Sequence, residues 1–147
     1  MTSPPDRAGR DRAKRGATAY RTGLAAEDTA ARMAVSRGLA VLERRYKTPH
    51  GEIDLIAHDP AAPHGLIVFV EVKARRSADE AAHAIAPRQW QRLQHAALHY
   101  AGVYHTPTNQ LDTPASSTGP DLRFDVVLVG RDGLARWIEN ARGFDEF

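Results

Sequence analysis

Four ionisable residues lie inside or beside two apolar segments of the stretch Gly51–Lys73. The two segments, Ile53–Ala57 and Leu66–Val72, are typical of neighbouring β-strands. The ionisable residues are Glu52, Asp54, Glu71 and Lys73. An ionised carboxylate without partners is costly to bury, so carboxylates in a buried sheet need a physical reason. A bound divalent cation would be such a reason.

The alternation of side chains along a strand predicts which of these residues share a face. Glu52 and Asp54 lie two positions apart and are expected on one face of their strand. Glu71 and Lys73 are related in the same way, with a spacing of about 6.6 Å along the next strand. If the two strands pair antiparallel, Asp54 and Glu71 converge within reach of one cation.

Hard oxygen ligands without His or Cys suit Mg²⁺ or Mn²⁺ rather than zinc. Magnesium usually takes one or two carboxylates and leaves other positions for water and phosphate oxygens. Such an ion can activate the water, and Lys73 beside it can orient the water or stabilise a negative transition state. The pattern therefore predicts a metal-dependent phosphodiesterase site. The alternative to a metal site is a set of ion pairs at the strand ends. These residues alone do not decide between the two interpretations.

Composition limits the classes of protein to consider. The chain has 147 residues, 42% of them hydrophobic, a formal net charge of +2 and no cysteine. This length suits one domain, and the lack of cysteine excludes a disulfide or a thiolate metal site. No apolar run reaches the roughly 18 residues that a membrane span needs, and the basic N-terminus lacks the apolar region of a signal peptide. We therefore expect a cytoplasmic protein without a membrane partner.

The first residues differ from the rest of the chain. Residues 1–19 combine two prolines and two glycines with dense charge, five basic residues against two acids, and predict a disordered tail. The tail is either simply solvated or a basic arm that follows a phosphate backbone. Residues 20–147 form the expected domain.

The remaining pattern predicts an α/β fold. A helix is expected from Thr22 to about Arg37, ending at Gly38, and a second one from Pro87, with Trp90 and Tyr100 in its core face. The predicted strands are Leu39–Tyr46, Glu52–His58, Leu66–Val72, Leu122–Val129 and Leu134–Ile138, with loops between them that include His105–Pro120. The order, helix, three strands, helix and one or two strands, predicts a mixed sheet flanked by helices.

Charged residues near the first strand extend the candidate site. Glu27 lies in the first helix among alanines, which would let another element come close, although an isolated helix glutamate is more often solvated. Basic residues that end the first strand and follow the third are placed to contact phosphates. They are Arg44, Arg45, Lys47, Arg75 and Arg76.

Four motifs, taken together, resemble the YraN family of small bacterial proteins. They are Gly23–Glu27 (GLAAE), Gly51–Ala57 (GEIDLIA), Phe69–Arg75 (FVEVKAR) and Arg123–Val127 (RFDVV). The family is assigned to the restriction-endonuclease-like, or PD-(D/E)xK, superfamily and is similar to archaeal Holliday-junction resolvases. The resemblance covers about residues 20 to 140 and implies the α-β-β-β-α-β nuclease core.

The resemblance also implies roles for individual residues. Asp54 and Glu71 would be metal ligands and catalytic residues, Lys73 the catalytic lysine, and Glu27 a further metal-site acid. Glu52 and Asp125 also match the motifs, but the resemblance does not imply that they bind the metal. We expect them to lie next to the site and to hold its residues in place. Relatives usually carry a lysine just after the Pro-Arg that opens the second helix. This chain has Gln89 there, which can still bond a phosphate or a water but brings no charge.

Three functions follow as hypotheses. The first is a nuclease dependent on Mg²⁺ or Mn²⁺ that cleaves DNA, including branched or other non-standard structures, and resolvase-like relatives imply a homodimer. The second is a module that keeps the fold but only binds nucleic acid or a partner. A third is an adaptor whose charged cluster is an ion-pair network.

His95 and His99 lie four residues apart and would share a helix face that could hold a metal. No third ligand is evident from the sequence, so this pair ranks well below the carboxylates as a metal site.

Overall fold

The computed structural model describes residues 7–75, 85–104 and 121–142. The helices and strands, in chain order, are α1 (Arg7–Ser36), β1 (Ala40–Thr48), β2 (Gly51–Asp59), β3 (Leu66–Arg75), α2 (Pro87–Tyr104), β4 (Asp121–Gly130) and β5 (Ala135–Arg142). Arg76 and the loop predicted over His105–Pro120 lie outside the described residues. Every predicted strand is present, with ends within a few residues of those expected.

The five strands form one mixed sheet in the order β1-β2-β3-β4-β5. Strands β3 and β4 pair in parallel, and the other three pairs are antiparallel. The segment that connects the parallel pair contains α2, as a parallel crossover requires. The prediction of an α/β fold with flanking helices is confirmed, and the element order is compatible with a restriction-endonuclease-like core.

The sheet carries a separate apolar cluster on each face. On one face, α2 contributes Trp90, Leu93 and Tyr100, which pack with sheet residues such as Phe69 and Phe124. On the other face, the fully buried side chains that α1 contributes are small, Ala30 and Ala34, and Met33 packs beside them, partly buried. They contact buried aliphatic residues of β2, β3 and β4. Small residues let α1 approach the sheet closely, which brings the polar groups of this helix within reach of the strands.

Helix α1 ends where the sequence predicts but begins much earlier. Gly38 has a φ of 81°, and the amides of Gly38 and Leu39 donate to the carbonyls of Val35 and Ala34, which is the Schellman arrangement. The start expected at Thr22 is wrong, because the helix already begins at Arg7 and runs through most of the segment expected to be disordered. From Arg7 onward that segment contains no proline and many alanine, arginine and lysine residues, which are strong helix formers. No helix in the described part of the chain is long and apolar enough to span a membrane.

The regular alternation of β2 breaks at Asp54. Ile53 packs in the cluster beneath α2, whereas Leu55 packs in the cluster beneath α1, although residues two apart on a regular strand share a face. On β1, Arg45 lies opposite this break and has a φ of 52°, a left-handed conformation that strains a non-glycine residue. The irregularity of the two strands thus lies at Asp54 on β2 and at Arg45 on β1, and both are candidate site residues.

Candidate metal centre

Asp54 lies at a fork between β2 and β3. The backbone pairing of the two strands extends from Asp59–Leu66 to Leu55–Val70 and stops just before Asp54. The Asp54 Oδ2 atom accepts a hydrogen bond of 2.8 Å from the amide of Val72, in place of a ladder partner. The carboxylate is therefore held by the backbone of β3, and the fork opens a gap in which side chains can meet.

Glu71 lies across the fork from Asp54 and is buried, with 6% of its surface exposed. The Glu71 Oε1 atom is 3.2 Å from Lys73 Nζ and accepts a 2.6 Å hydrogen bond from Gln89 Nε2. The charge of the Asp54 carboxylate acts on Glu71 across the fork. The ion pair agrees with the expected shared face of Glu71 and Lys73. Convergence of Asp54 and Glu71 on one cation stays a prediction.

Burial and the nearby charge of Asp54 raise the pKa of Glu71 to about 7, although Lys73 opposes the shift. The pKa of Asp54 is also raised, first by burial and then by the charge of Glu27, while the amide of Val72 acts in the opposite direction. Two carboxyls this close to each other hold one proton between them more readily than isolated ones do, because two like charges side by side are unfavourable. Near neutral pH this pair therefore favours any cation that can replace the proton.

Glu27 reaches the cluster from α1. Its side chain is buried, and its Oε2 atom accepts a 2.7 Å hydrogen bond from Arg45 Nε. Among the described residues, the carboxylate oxygens of Glu27, Glu52 and Asp54 form the group of three that lie within 4.8 Å of one another. The interpretation of Glu27 as a solvated helix residue is wrong, because the alanines around it let α1 press this carboxylate against the strands.

These oxygens fit a hard divalent cation. They are carboxylate ligands from three positions on two elements, with Glu71 beyond Asp54, and no imidazole or thiolate lies among them. Burial is the main cause of the raised pKa of Glu71, and the charge of Asp54 adds to it although Lys73 lies close by. Glu52, which the sequence placed outside the ligand set, lies inside the group and is the more exposed member.

A pocket of about 100 Å³ opens beside the carboxylates. Its lining residues are Gly51, Glu52, Glu71, Gln89, Arg92 and Leu93. Arg92 follows Gln89 by three residues on α2, so both side chains face the pocket from one side of that helix. Sequence reasoning missed Arg92; its helical spacing from Gln89 was the signal that could have found it.

The basic residues expected to contact phosphates have different surroundings. Arg44 forms an ion pair with Asp28 of α1, and Arg45 pairs with Glu27 as described. Lys47 is exposed near the end of β1. The side chain of Arg75 and all of Arg76 lie outside the described part of the chain. Arg44 and Arg45 thus form ion pairs with α1. Phosphate contact by these basic residues stays a prediction.

Asp125 lies away from the fork and is almost fully buried, with 1% of its surface exposed. Its two oxygens accept hydrogen bonds of 2.8 to 2.9 Å from Arg123, from the indole of Trp137 and from the amide of Asn140. Asn140 has a φ of 48°, and the register of β4 with β5 shifts near Asp125. The carboxylate therefore anchors β5 to β4 and has no described contact with the metal-site acids.

The fold and the carboxylate fork define an α/β protein with a polar site at the point where two central strands separate. Residues 26–129 match the model of the uncharacterised protein family UPF0102. The chain belongs to this family, which is the YraN family that its motifs resemble.

Relatives from several bacteria are similar to this chain over most of their length. A UPF0102 protein from Bradyrhizobium sp. strain ORS 278 is 45% identical over 118 residues, which cover 80% of this chain and 74% of the relative. Another, from Parvibaculum lavamentivorans, is 44% identical over 114 residues, covering 78% and 75%. The matched region includes α1 from Ala26, the fork, α2 and most of β4.

Proposed function

We propose that this protein is a metal-dependent nuclease that hydrolyses phosphodiester bonds in DNA, including branched or other non-standard structures. The observation that carries the proposal is the buried fork, where carboxylates from α1, β2 and β3 converge beside Lys73. Here two adjacent carboxyls have raised pKa values, which is typical of a functional site.

Asp54, Glu71 and Glu27 would hold Mg²⁺ or Mn²⁺, and the position of Glu52 makes it a further candidate ligand. The ion, when bound, supplies positive charge at a scissile phosphate and lowers the pKa of a water. The protein's own contribution is to hold the carboxylates in place: the amide of Val72 fixes Asp54, and Arg45 fixes Glu27.

Lys73 would act on the attacking water and on the phosphate. Its Nζ atom is 3.2 Å from Glu71 Oε1 and its side chain is only 15% exposed, so the ammonium group is positioned by an ion pair at the edge of the site. An ammonium in this position can donate one hydrogen to the water and another to a non-bridging phosphate oxygen. Donation stabilises the charge that develops as the phosphodiester bond breaks.

Helix α2 would bind the phosphate next to the scissile bond. Gln89 is held by its hydrogen bond to Glu71, and Arg92 adds a guanidinium on the same side of the pocket. A guanidinium can bind two phosphate oxygens at once. Arg92 would therefore supply the positive charge that Gln89 lacks in comparison with the lysine expected there.

The proposal is tested by incubating the purified protein with single-stranded, duplex, flap and four-way DNA in Mg²⁺ or Mn²⁺. We expect cleavage of at least one substrate, no cleavage in EDTA, and a loss of about 10²-fold or more in rate for Lys73→Ala and Glu71→Gln. Glu43→Gln is the matched control, because Glu43 is a β1 glutamate without a described contact with the fork. Cleavage that survives both site substitutions would belong to a contaminant.

A second candidate is a module that binds nucleic acid or a partner without cutting. Gln89 favours it, because the helix position nearest to Glu71 carries no charge. This function predicts that the protein binds these DNA substrates but does not cleave them in the presence of either Mg²⁺ or Mn²⁺. Lys73→Ala would then weaken the affinity for DNA, and there would be no cleavage rate for it to lower.

A further inference from the structure

Three histidines converge on the side of α2 that faces the turn between β1 and β2. The ring centre of His50 is 5.4 Å from that of His95 and 6.3 Å from that of His99. His95 and His99 share a helix face, and His50 comes from a part of the chain far from them in sequence. The third imidazole that the helical pair lacked is thus supplied by the fold.

The elements that carry these histidines hold them in place. Thr48 braces the turn: its Oγ1 atom accepts a 3.0 Å hydrogen bond from the amide of His50 and donates one of 2.8 Å to the carbonyl of Gly51. On α2, histidines at positions i and i+4 are one turn apart and can bind the same ion. The imidazoles therefore approach each other from a rigid helix and a braced turn.

The spacing of the rings suits a shared metal ion. With Zn–N bonds of about 2.0–2.1 Å in a tetrahedral site, the centres of two bound imidazoles are about 5 Å apart. The separation of His50 and His95, 5.4 Å, is close to this value, and that of His50 and His99, 6.3 Å, is longer. Among the described residues only the carboxylate group has three ligand atoms within 4.8 Å, so the imidazoles must rotate to reach one ion. His50 and His95 are exposed, and exposed side chains change rotamer readily.

His99 contributes an independent observation. Its Nδ1 atom is buried and has no hydrogen-bond partner. A buried polar atom left without a partner costs roughly 1–3 kcal/mol, so native structures usually provide one. A metal ion that the neutral imidazole can approach by rotation would give His99 a partner.

We propose that His50, His95 and His99 form a binding site for a divalent transition-metal ion of the zinc class, with the fourth position open to water. Imidazole ligands select Zn²⁺, Co²⁺ or Ni²⁺ over Mg²⁺, so this site is distinct in chemistry from the carboxylate fork. An ion bound here would link the β1–β2 turn to α2. That link holds the turn residue Gly51, which lines the pocket, against the helix that carries Gln89 and Arg92.

Titration of the metal-free protein with Co²⁺, followed by its visible absorption spectrum, tests the site. We expect an absorption band typical of nitrogen-bound, four- or five-coordinate Co²⁺ at one equivalent, and its displacement by Zn²⁺. His50→Ala and His95→Ala should each abolish the band. His64→Ala, which removes an exposed loop histidine outside the cluster, and Asp54→Asn, which alters the fork, should both retain it.

A second measurement separates metal binding from misfolding. One equivalent of Zn²⁺ should raise the melting temperature of the wild type and of His64→Ala, but not that of His50→Ala, whose substitution lies on an exposed turn. The absence of a Co²⁺ band in the wild type would overturn the proposal. So would a band that persists in both His50→Ala and His95→Ala, or one that Asp54→Asn removes.

Discussion

Glu71 is a buried, charged residue at the centre of the proposed chemistry. Its carboxyl is buried between Asp54, Lys73 and Gln89, and the pKa is raised to about 7. Between about pH 4.5 and 7 the folded protein binds a proton here that the unfolded chain has released. The free energy of unfolding should therefore decrease as the pH rises through this window, since the folded state then binds more protons.

Glu71→Gln should remove this dependence. In EDTA, the wild type should lose stability from pH 5 to pH 8 on the order of 2–3 kcal/mol more than the variant does, because each pKa unit is about 1.4 kcal/mol. Urea unfolding of both proteins at the two pH values measures the difference. Parallel stability profiles would contradict the assignment of the raised pKa to this carboxyl.

Arg92 and Gln89 allow a test of phosphate binding by individual side chains. If Arg92 provides the charge for phosphate binding, Arg92→Ala should raise the KM for a cleaved DNA about tenfold, as expected for the loss of a charge-assisted hydrogen bond of about 1.5 kcal/mol. Adding Gln89→Lys should restore most of the affinity, because a cation then lines the pocket again. Steady-state kinetics of the single and double variants provide the comparison; no recovery in the double variant would show that the charge at Arg92 is not what matters.

Among the elements, β5 depends on one buried carboxylate. Asp125 accepts hydrogen bonds from Arg123, Trp137 and Asn140, which lie on β4 and β5. Removing it takes the acceptor from the Arg123 guanidinium, which keeps only the more distant Glu139, and from the Trp137 indole, both of which are half-buried.

Asp125→Ala should therefore lower the free energy of unfolding on the order of 1–3 kcal/mol, the cost of leaving these donors without their acceptor. Urea unfolding followed by tryptophan fluorescence measures it, and the exposed Asp121→Ala should change stability by less than about 0.5 kcal/mol. A loss below 1 kcal/mol in Asp125→Ala would mean that the hydrogen bonds around this carboxylate do not hold β5.

The sequence predicted the elements well where local patterns determine them. The apolar run of β3, the glycine that ends α1 and the aromatic face of α2 all have local signals, and each lies where expected. The start of α1 was missed, because the charge-rich composition of the first residues outweighed their helix-forming residue types.

The finer features of the site depend on tertiary contacts that no local pattern contains. The break of alternation at Asp54 appears only when β1 and β3 are in register with β2. Arg92 enters the pocket, and His50 meets His95 and His99, because α2 packs across the sheet. Asp54, Glu71 and Lys73 were predictable because charged residues within or beside apolar strands are visible in the sequence itself.

At the scale of the whole molecule, all three layers contribute to the fork. Helix α1 brings Glu27, the sheet brings Asp54, Glu71 and Lys73, and α2 brings Gln89 and Arg92. A site built in this way forms only when both helices are packed on the sheet. The exposed Lys47 of β1 lies opposite Glu52 and therefore beside the fork. Under the proposed nuclease function, a DNA backbone that reaches the fork would pass this lysine.

This arrangement predicts how DNA binding depends on salt. If Lys47 contacts one phosphate, Lys47→Ala should reduce the slope of log affinity against log salt concentration by about 0.9 for duplex DNA. Lys47→Arg keeps the charge and should leave the slope unchanged. Fluorescence anisotropy over a range of salt concentrations measures the slopes, and equal slopes for wild type and Lys47→Ala would remove Lys47 from the DNA surface.

The central claim is that the carboxylates at the fork bind a divalent cation, and calorimetric titration with Mn²⁺ at pH 8 tests it most directly. We predict one bound ion in the wild type, the same heat in the exposed control Asp121→Asn, and none in Asp54→Asn, whose circular dichroism should match the wild type. Equal heats of Mn²⁺ binding in the wild type and Asp54→Asn would contradict the account.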